Sequence, residues 1–140
     1  MGWVARIDTP RRVEEQRVTA TVTAPSVLDL TFVELGTDGR FLAVGCDIAA
    51  WITFYASAQA RNADAARPIA EDPPLSAGVL LDLSFDGVIP WLLPAPGSTY
   101  SNSETPLRAR LFARIRTALN VAHAATVTVR ALVEHDTVPS

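Results

Sequence analysis

The side chains that most often carry out catalysis or bind metals are few in this chain. Its only histidines are His123 and His135, and Cys46 is its single cysteine. Zinc sites need several cysteine and histidine ligands at short, regular spacings, which these three residues do not provide. The motifs of common hydrolases, nucleotide-binding enzymes and oxidoreductases are also absent from the sequence. We therefore expect a protein that is not an enzyme and uses no cofactor, with a Ser/His/Asp site assembled from distant segments as the remaining catalytic alternative.

Four aspartates near the ends of predicted strands are the only candidates for a carboxylate metal site. They are Asp38, Asp47, Asp82 and Asp86. The Asp-x-Asp-x-Asp-Gly spacing of a calcium-binding loop is absent from the sequence. Because aspartates at turns commonly act as turn formers and solvated groups, the sequence predicts no metal site.

A row of cationic side chains, which we call the arginine face, follows from period-two alternation over residues 107–116. The arginine face consists of Arg108, Arg110, Phe112, Arg114 and Arg116, opposite Leu107, Ala109, Leu111, Ala113 and Ile115. The alternation predicts a strand, although the many Ala, Leu and Arg residues leave a helix over residues 107–119 as an alternative. Three interpretations remain open: a solvated outer face, an interface with acidic residues of another copy, or a site for phosphates or acidic carbohydrate. The formal net charge of −3 disfavours a polyanion site, so we expect no nucleic-acid partner.

Three aromatic residues add candidate interface positions. Trp51 and Tyr55 lie on the face of a predicted strand opposite Ile52 and Phe54, and exposed aromatic residues are typical of protein interfaces. Trp3 belongs to a predicted amino-terminal arm, residues 1–12. An indole buries on the order of 200 Å², so we expect this arm to dock on a neighbouring subunit. The complete set of candidate interface residues is Trp3, Trp51, Tyr55, Arg108, Arg110, Phe112, Arg114 and Arg116.

The overall composition is that of one globular domain. Hydrophobic residues make up 49% of the 140 residues and charged residues 19%, and a single core accommodates this length. All 12 positive residues are Arg, which codon bias or a preference for rigid paired contacts would explain. No apolar run approaches the ~18 residues that a membrane helix needs, and no signal-peptide pattern is present. We expect a chain that is made and used in solution, with no membrane partner.

The periodicity predicts a mainly β protein, an antiparallel, jelly-roll-like β-sandwich with one short helix. Its strands are predicted over residues 13–22, 27–35, 40–48, 51–55, 79–85, 88–93, 107–116 and 125–134. The helix is predicted over residues 58–66, with Ser57 as its N-cap and Pro68 shortly beyond its end. The predicted domain spans residues 13–136 and is followed by a tail at residues 137–140.

The residues that link the predicted strands also predict local structure. Residues 36–39 and Asp86-Gly87 predict tight hairpin turns. Pro90 predicts that the strand over residues 88–93 lies at a sheet edge, because proline cannot donate a ladder hydrogen bond. Residues 94–106 are rich in Pro, Gly, Ser, Thr and Asn, which predicts a long surface loop.

Residues 52–68, with the sequence ITFYASAQARNADAARP, resemble a segment of small structural proteins of tailed bacteriophages. In that pattern a strand ending in Tyr-x-Ser runs into an Ala/Arg/Asp-rich turn of helix that is closed by Arg-Pro. The resemblance continues through Glu71-Asp72-Pro73, GVLLDL at residues 78–83 and TVTVRAL at residues 126–132, and covers about residues 35–134. The chain departs from the pattern in its more highly charged residues 108–116, and residues 1–34 fall outside it.

The resemblance implies a non-enzymatic β-sandwich in the virion, near the tail fibres or baseplate, that assembles in several copies. Its partners would be other virion proteins and copies of itself, after synthesis in the host cytoplasm. One alternative is a protein that decorates the capsid. Another is a glycan-binding module for a host receptor, with Trp91, Tyr100 and Asn102 lining a groove between loops.

Overall fold

The computed structural model describes residues 10–135 and is mainly β, with 50% strand and 6% helix. The strands are β1 (Arg11–Val18), β2 (Ser26–Phe32), β3 (Asp38–Cys46), β4 (Ala49–Tyr55), β5 (Val79–Asp86), β6 (Trp91–Leu92), β7 (Thr99–Ser101), β8 (Leu111–Thr117) and β9 (Thr126–His135). A single α-helix in this part of the chain, α1 (Ala58–Ala63), follows β4, and a 3-10 turn at Leu75–Ala77 precedes β5. Residues 1–9 of the predicted arm and residues 136–140, including the predicted tail, lie outside the described residues.

The strands form two antiparallel sheets that pack face to face. The first sheet has the order β1-β9-β3-β6, with β7 also pairing with β3, and the second sheet has the order β2-β8-β4-β5. When the short strand β7 is set aside, the remaining strands follow the jelly-roll order, in which most successive strands belong to different sheets. The predicted antiparallel sandwich is confirmed. The predicted edge position after Pro90 is also confirmed, because β6 ends the first sheet.

Side chains from the inner faces of both sheets fill the core. The predicted alternation of β9 is confirmed, and its buried residues are Val127, Val129, Ala131 and Val133. Aromatic rings pack within and between the sheets: the Phe54 centroid lies 6.0 Å from that of Phe32 in the same sheet and 5.2 Å from that of Phe41 in the other sheet. Rings at these distances add to the stabilisation from burial alone.

Strand β3 departs from the predicted alternation. The sequence places Leu42 on the same face as Val44 and Cys46, but a β-bulge between Phe41 and Ala43 shifts the register. Phe41 therefore lies in the core with Val44 and Cys46, whereas Leu42 is 38% exposed. A period-two pattern cannot indicate such an extra residue, which moves the side chains before it to the opposite face.

Both predicted hairpins are wrong. Gly36 does adopt a positive φ of 69°, but it lies in the link from β2 of the second sheet to β3 of the first. Gly87, with φ of 84°, likewise follows β5 of the second sheet, and the chain then crosses to β6 of the first. Asp86 shapes this crossing by accepting the backbone N–H groups of Val88 and Ile89 at 2.8 and 2.9 Å. Turn residues indicate a change of direction, but they do not indicate which sheet the next strand joins.

The helix begins as predicted and ends early. Ser57 is its N-cap, and the Ser57 hydroxyl oxygen accepts the Ala60 N–H at 3.0 Å. The last helical residue is Ala63 rather than Ala66, and Asp64 is the C-cap. Within residues 10–135 no helix is both long enough and apolar enough to cross a membrane.

Part of the predicted surface loop at residues 94–106 is packed against the core. Tyr100 on β7 is 2% exposed, and its hydroxyl donates to the Leu35 carbonyl oxygen at 2.7 Å. Burial raises the pKa of this phenol well above its usual value. Asn102 is also buried, and its Oδ1 accepts the N–H groups of Glu104 and Arg108. One isolated aromatic residue gives no periodic signal, so the sequence could not predict this anchor.

Candidate functional site

The arginine face lies on the outward surface of the second sheet, where the strand register aligns side chains in rows. One row contains Val27, Arg116, Trp51 and Ser84, the next contains Asp29, Arg114, Thr53 and Asp82, and the third contains Thr31, Phe112 and Tyr55. The strand interpretation is confirmed for Leu111–Thr117, whereas residues 107–110 precede β8. Helix α1 lies against β4 and β8 on this surface.

Asp64, directly after α1, binds two groups on this surface. Tyr55 Oη donates to Asp64 Oδ2 at 2.6 Å, and Arg67 Nε donates to Asp64 Oδ1 at 2.8 Å. The side chains of Asp64 and Arg67 are only 5% and 6% exposed. Burial by itself would raise the pKa of Asp64, but the hydrogen bonds from Arg67 and Tyr55 outweigh it and hold that pKa below its usual value. Burial and the bond to Asp64 raise the pKa of Tyr55, so its phenol is neutral.

Asp82 on β5 bonds both to β4 and to Arg67, which lies in the segment after α1. Thr53 Oγ1 donates to Asp82 Oδ1 at 2.7 Å, and the Trp51 indole N–H donates to the same oxygen. Arg67 Nη1 donates to Asp82 Oδ2 at 2.9 Å, and the Arg67 guanidinium carbon lies 5.1 Å from the Trp51 ring centroid. Arg67 therefore attaches the segment after α1 to both β4 and β5.

Arg114 uses its donors inside the chain. Its Nε and Nη2 donate to the two carboxylate oxygens of Asp29 at 3.0 and 3.4 Å, and its Nη1 donates to the Arg61 carbonyl oxygen at 2.9 Å. The Arg61 guanidinium lies 3.6 Å from Asp29 and 5.1 Å from the Phe112 ring centroid. This bidentate geometry joins β2, β8 and α1 and engages all three nitrogens of the Arg114 guanidinium within the chain.

Arg116 stacks on Trp51 and bonds to the segment after α1, but one of its guanidinium nitrogens lacks a partner among the described residues. Its guanidinium carbon lies 4.1 Å from the Trp51 ring centroid, and its Nη2 donates to the Asp64 carbonyl oxygen at 3.0 Å. Its Nη1 is enclosed and has no hydrogen-bond partner within the described part of the chain. An enclosed donor without an acceptor costs about 1–3 kcal/mol, so Arg116 would gain from an added acceptor.

The structure corrects the predicted exposure of the candidate interface residues. Tyr55, Phe112 and Arg114 are buried, and Trp51 and Arg116 are half-buried. The expectation that these five side chains lie on an open surface is wrong, because α1 and the segment after it occupy the place that the sequence assigned to solvent or to another copy.

The remaining candidates lie elsewhere. Arg108 is exposed in the loop before β8. Arg110 Nε pairs with Glu104 Oε1 at 2.9 Å, also before β8. Trp3 lies outside the described residues. The structure thus divides the predicted arginine face into a loop part and an internally bonded sheet part.

Each of the four aspartates considered as metal ligands has its own hydrogen-bond or ion-pair partners. Asp38 pairs with His135 Nδ1 at 2.9 Å, and Asp47 accepts the Thr126 N–H at 2.8 Å. Asp82 and Asp86 make the contacts described above. No group of three or more His, Cys, Asp or Glu side chains in residues 10–135 is arranged to hold a metal ion.

A cleft of about 460 Å³ opens beside Arg116 at one end of the second sheet, and we call it the Arg116 cleft. Its apolar walls include Ala50, Ile69, Phe85 and Leu119, together with the Trp51 ring, and Arg116 is the only charged residue that lines it in the described part of the chain. This volume falls within the range of about 300–1,000 Å³ that is usual for ligand pockets.

A second apolar surface, residues 88–93, lies at the edge of the first sheet, and we call it the apolar edge. Val88, Ile89 and Leu93 are 81%, 57% and 80% exposed around the two-residue strand β6. Trp91 lies on the outer face of the first sheet, with its ring centroid 4.1 Å from the guanidinium carbon of Arg130. The sequence did not indicate this surface, because a run of apolar residues ordinarily predicts a buried strand.

Comparisons with protein-family models, with curated proteins and with solved structures returned no match to this chain.

Proposed function

We propose that this chain is a non-enzymatic structural protein of a bacteriophage virion, where it makes protein contacts in the tail, baseplate or fibre region. The observation that carries the proposal is the apolar edge. Its three exposed apolar side chains lie within six residues of the sequence, and groups of exposed apolar side chains are typical of protein interaction sites.

The local structure of the apolar edge favours recognition through side chains. Pro90 has no N–H to donate, and β6 is only two residues long, so the edge offers little backbone for an added strand. Val88 and Leu93 lie on either side of β6 and are among the most exposed apolar residues of the described chain. A partner would therefore bury these side chains rather than extend the sheet.

The fold and the sequence pattern support the same proposal. Jelly rolls occur in viral capsid and lectin domains, although a fold alone does not determine function. Residues 52–68, which resemble phage structural proteins, include Tyr55, Asp64 and Arg67. In this chain those residues attach α1 to the sheet, which is a structural role rather than a catalytic one.

The glycan-binding alternative loses two of its three candidate residues. Tyr100 and Asn102 are 2% and 6% exposed and are hydrogen-bonded within the chain. Trp91 is half-buried against Arg130. Capsid decoration, in contrast, would also use an apolar contact surface, and the copy number per particle would separate it from a position in the tail.

Substitution of the apolar edge tests the proposal. We expect Val88→Ser combined with Leu93→Ser to lower incorporation into particles by about tenfold or more, because central apolar anchors dominate protein interfaces. The matched control is Val33→Ser combined with Val121→Ser, which changes two residues that are 53% and 64% exposed elsewhere. Quantitative mass spectrometry of purified particles measures incorporation. Equal incorporation of the two double variants would contradict the role of the apolar edge.

A further inference from the structure

We propose that the Arg116 cleft receives the Trp3-containing segment of a second copy of this chain, so that copies associate head to tail. The inference rests on the proposed function in one respect: both assume that the chain acts through contacts with other protein chains. The partner is a second copy of this chain, and the two surfaces that meet are the Trp3-containing segment and the Arg116 cleft.

The chemistry of the cleft suits an apolar segment that also carries a hydrogen-bond acceptor. Phe85 and Leu119 form part of its walls, and Ile69, which is 59% exposed, is a further apolar lining residue. Among the described residues no carboxylate lines the cleft, so the Arg116 guanidinium is the charged group that an arriving segment would meet there. A backbone carbonyl or a carboxylate of an arriving segment would add a hydrogen-bond acceptor beside this guanidinium.

The segment before β1 has matching chemistry. It carries the apolar residues Trp3, Val4 and Ile7 and a single carboxylate, Asp8. A buried indole removes on the order of 200 Å² from water, and the volume of the cleft exceeds that of one indole. Trp3 is therefore the side chain that would gain most from entering it.

The strand register places the cleft at the far end of the domain from this segment. β1 starts at Arg11 and ends at Val18, which pairs with Thr126. The Thr126 N–H donates to Asp47, and Asp47 lies two residues before the cleft residue Ala49. The cleft is thus at the Val18 end of the domain, at the end of the other sheet.

The reach of the segment favours docking on a second copy. Trp3 lies seven residues before Pro10, the first described residue, and an extended chain of that length spans at most about 24 Å. β1 alone is about 25 Å long, and the two sheets are about 10 Å apart. A segment docking on its own copy would also have to reverse at Pro10 and cross to the other sheet, so docking on a second copy requires less reach.

A contact between two different surfaces determines which kinds of assembly the copies can form. The segment and the cleft are different surfaces, so their contact is heterologous rather than a two-fold symmetric one. Heterologous contacts build rings when the rotation closes and open filaments when it does not. Either product would suit a protein that is present in several copies.

Three full-length variants test the inference. Trp3→Ala removes the proposed anchor, and Ile69→Arg places a charged chain in the cleft. Val33→Arg is the matched control, because Val33 is 53% exposed and lies outside the cleft. Analytical ultracentrifugation over a concentration series measures self-association, and circular dichroism measures the fold of each variant.

We expect the wild type and Val33→Arg to associate alike, and the other two variants to associate about tenfold or more weakly. An equimolar mixture of Trp3→Ala and Ile69→Arg should form a one-to-one complex that neither forms alone, because one retains the cleft and the other retains the segment. A monomeric wild type, unchanged association of both variants or a mixture without the complex would overturn the inference. Loss of the fold in Trp3→Ala would also overturn it, because Trp3 would then belong to the core of its own copy. Absence of the chain from virions, with the complex formed, would refute only the proposed function.

Discussion

The Tyr55 hydroxyl donates a 2.6 Å hydrogen bond to Asp64 Oδ2, and this contact joins the end of α1 to the outward surface of β4. Arg67 supplies the opposite charge at 2.8 Å from the other carboxylate oxygen. All three side chains are largely withdrawn from water, so the Tyr55 hydroxyl depends on Asp64 as its acceptor, whereas Arg67 also donates to Asp82. This cluster explains why the chain itself covers a surface that alternation alone assigns to solvent or to a partner.

Removal of the Asp64 carboxylate should destabilise the fold. We expect Asp64→Ala to lower the free energy of unfolding by about 1–3 kcal/mol or more, because it leaves the buried Tyr55 hydroxyl without its acceptor and leaves Arg67 with Asp82 as its remaining carboxylate partner. Chemical denaturation measures the change. Asp72→Ala, at an exposed carboxylate in the loop that follows, should stay within about 0.5 kcal/mol of the wild type. Similar values for the two variants would refute the structural role of Asp64.

The lowered pKa of Asp64 predicts the direction of a pH effect. A carboxylate whose pKa is depressed in the folded state contributes fully above its unfolded pKa of about 3.9, and the contribution is lost as the pH falls through the folded pKa. We expect the stability difference between wild type and Asp64→Asn to be constant near neutral pH and to shrink below about pH 4. Unfolding experiments across that range measure it. A difference that grows on acidification would be inconsistent with the ion pair.

Gly39 occupies a crowded position in the first sheet. A Cβ atom there would lie 2.3 Å from the Leu132 carbonyl oxygen and 2.6 Å from the Tyr100 hydroxyl oxygen. The backbone oxygen cannot move away without breaking the sheet, so we expect Gly39→Ala to cost about 1–3 kcal/mol or more. Thermal unfolding measures this cost, with Ser101→Ala on the exposed side of β7 as the control. A neutral Gly39→Ala variant would mean that β3 and β9 do not approach as described.

Cys46 should be poorly reactive in the native protein. Its side chain is buried, and burial raises the pKa of the thiol, which lowers the fraction of reactive thiolate. We expect alkylation to be at least about a hundredfold slower in the native chain than in the urea-unfolded chain, because the reaction requires opening of the core. Mass spectrometry over time measures the rates. Comparable rates would place Cys46 outside the core.

The periodic strands show how far local pattern determines this fold. Alternation places Val127 with Val129 on one face of β9 and Ile52 with Phe54 on one face of β4, and all four side chains are buried. The N-cap at Ser57 was equally predictable, because capping is a local interaction. In each case the physical cause lies within a few residues of the structure that it produces.

The features that the sequence did not predict depend on residues that are distant in the chain. The outward direction of Arg114 follows from its neighbours Ala113 and Ile115, but its partners come from β2 and α1. Nothing near Arg114 encodes the Asp29 carboxylate or the Arg61 carbonyl oxygen that bind it. The Tyr-x-Ser strand end, followed by an aspartate and Arg-Pro, was the one signal that could have indicated a covered surface.

The location of the protein in purified phage particles tests the proposed structural role most directly. High-resolution imaging by cryo-electron microscopy, combined with mass spectrometry of the same particles, would give both position and copy number. We expect density for the jelly roll in several copies at the tail, baseplate or fibres, with Val88 and Leu93 of the apolar edge buried against a neighbouring protein. Particles in which the chain is absent, or in which it is present with the apolar edge open to solvent, would contradict this role.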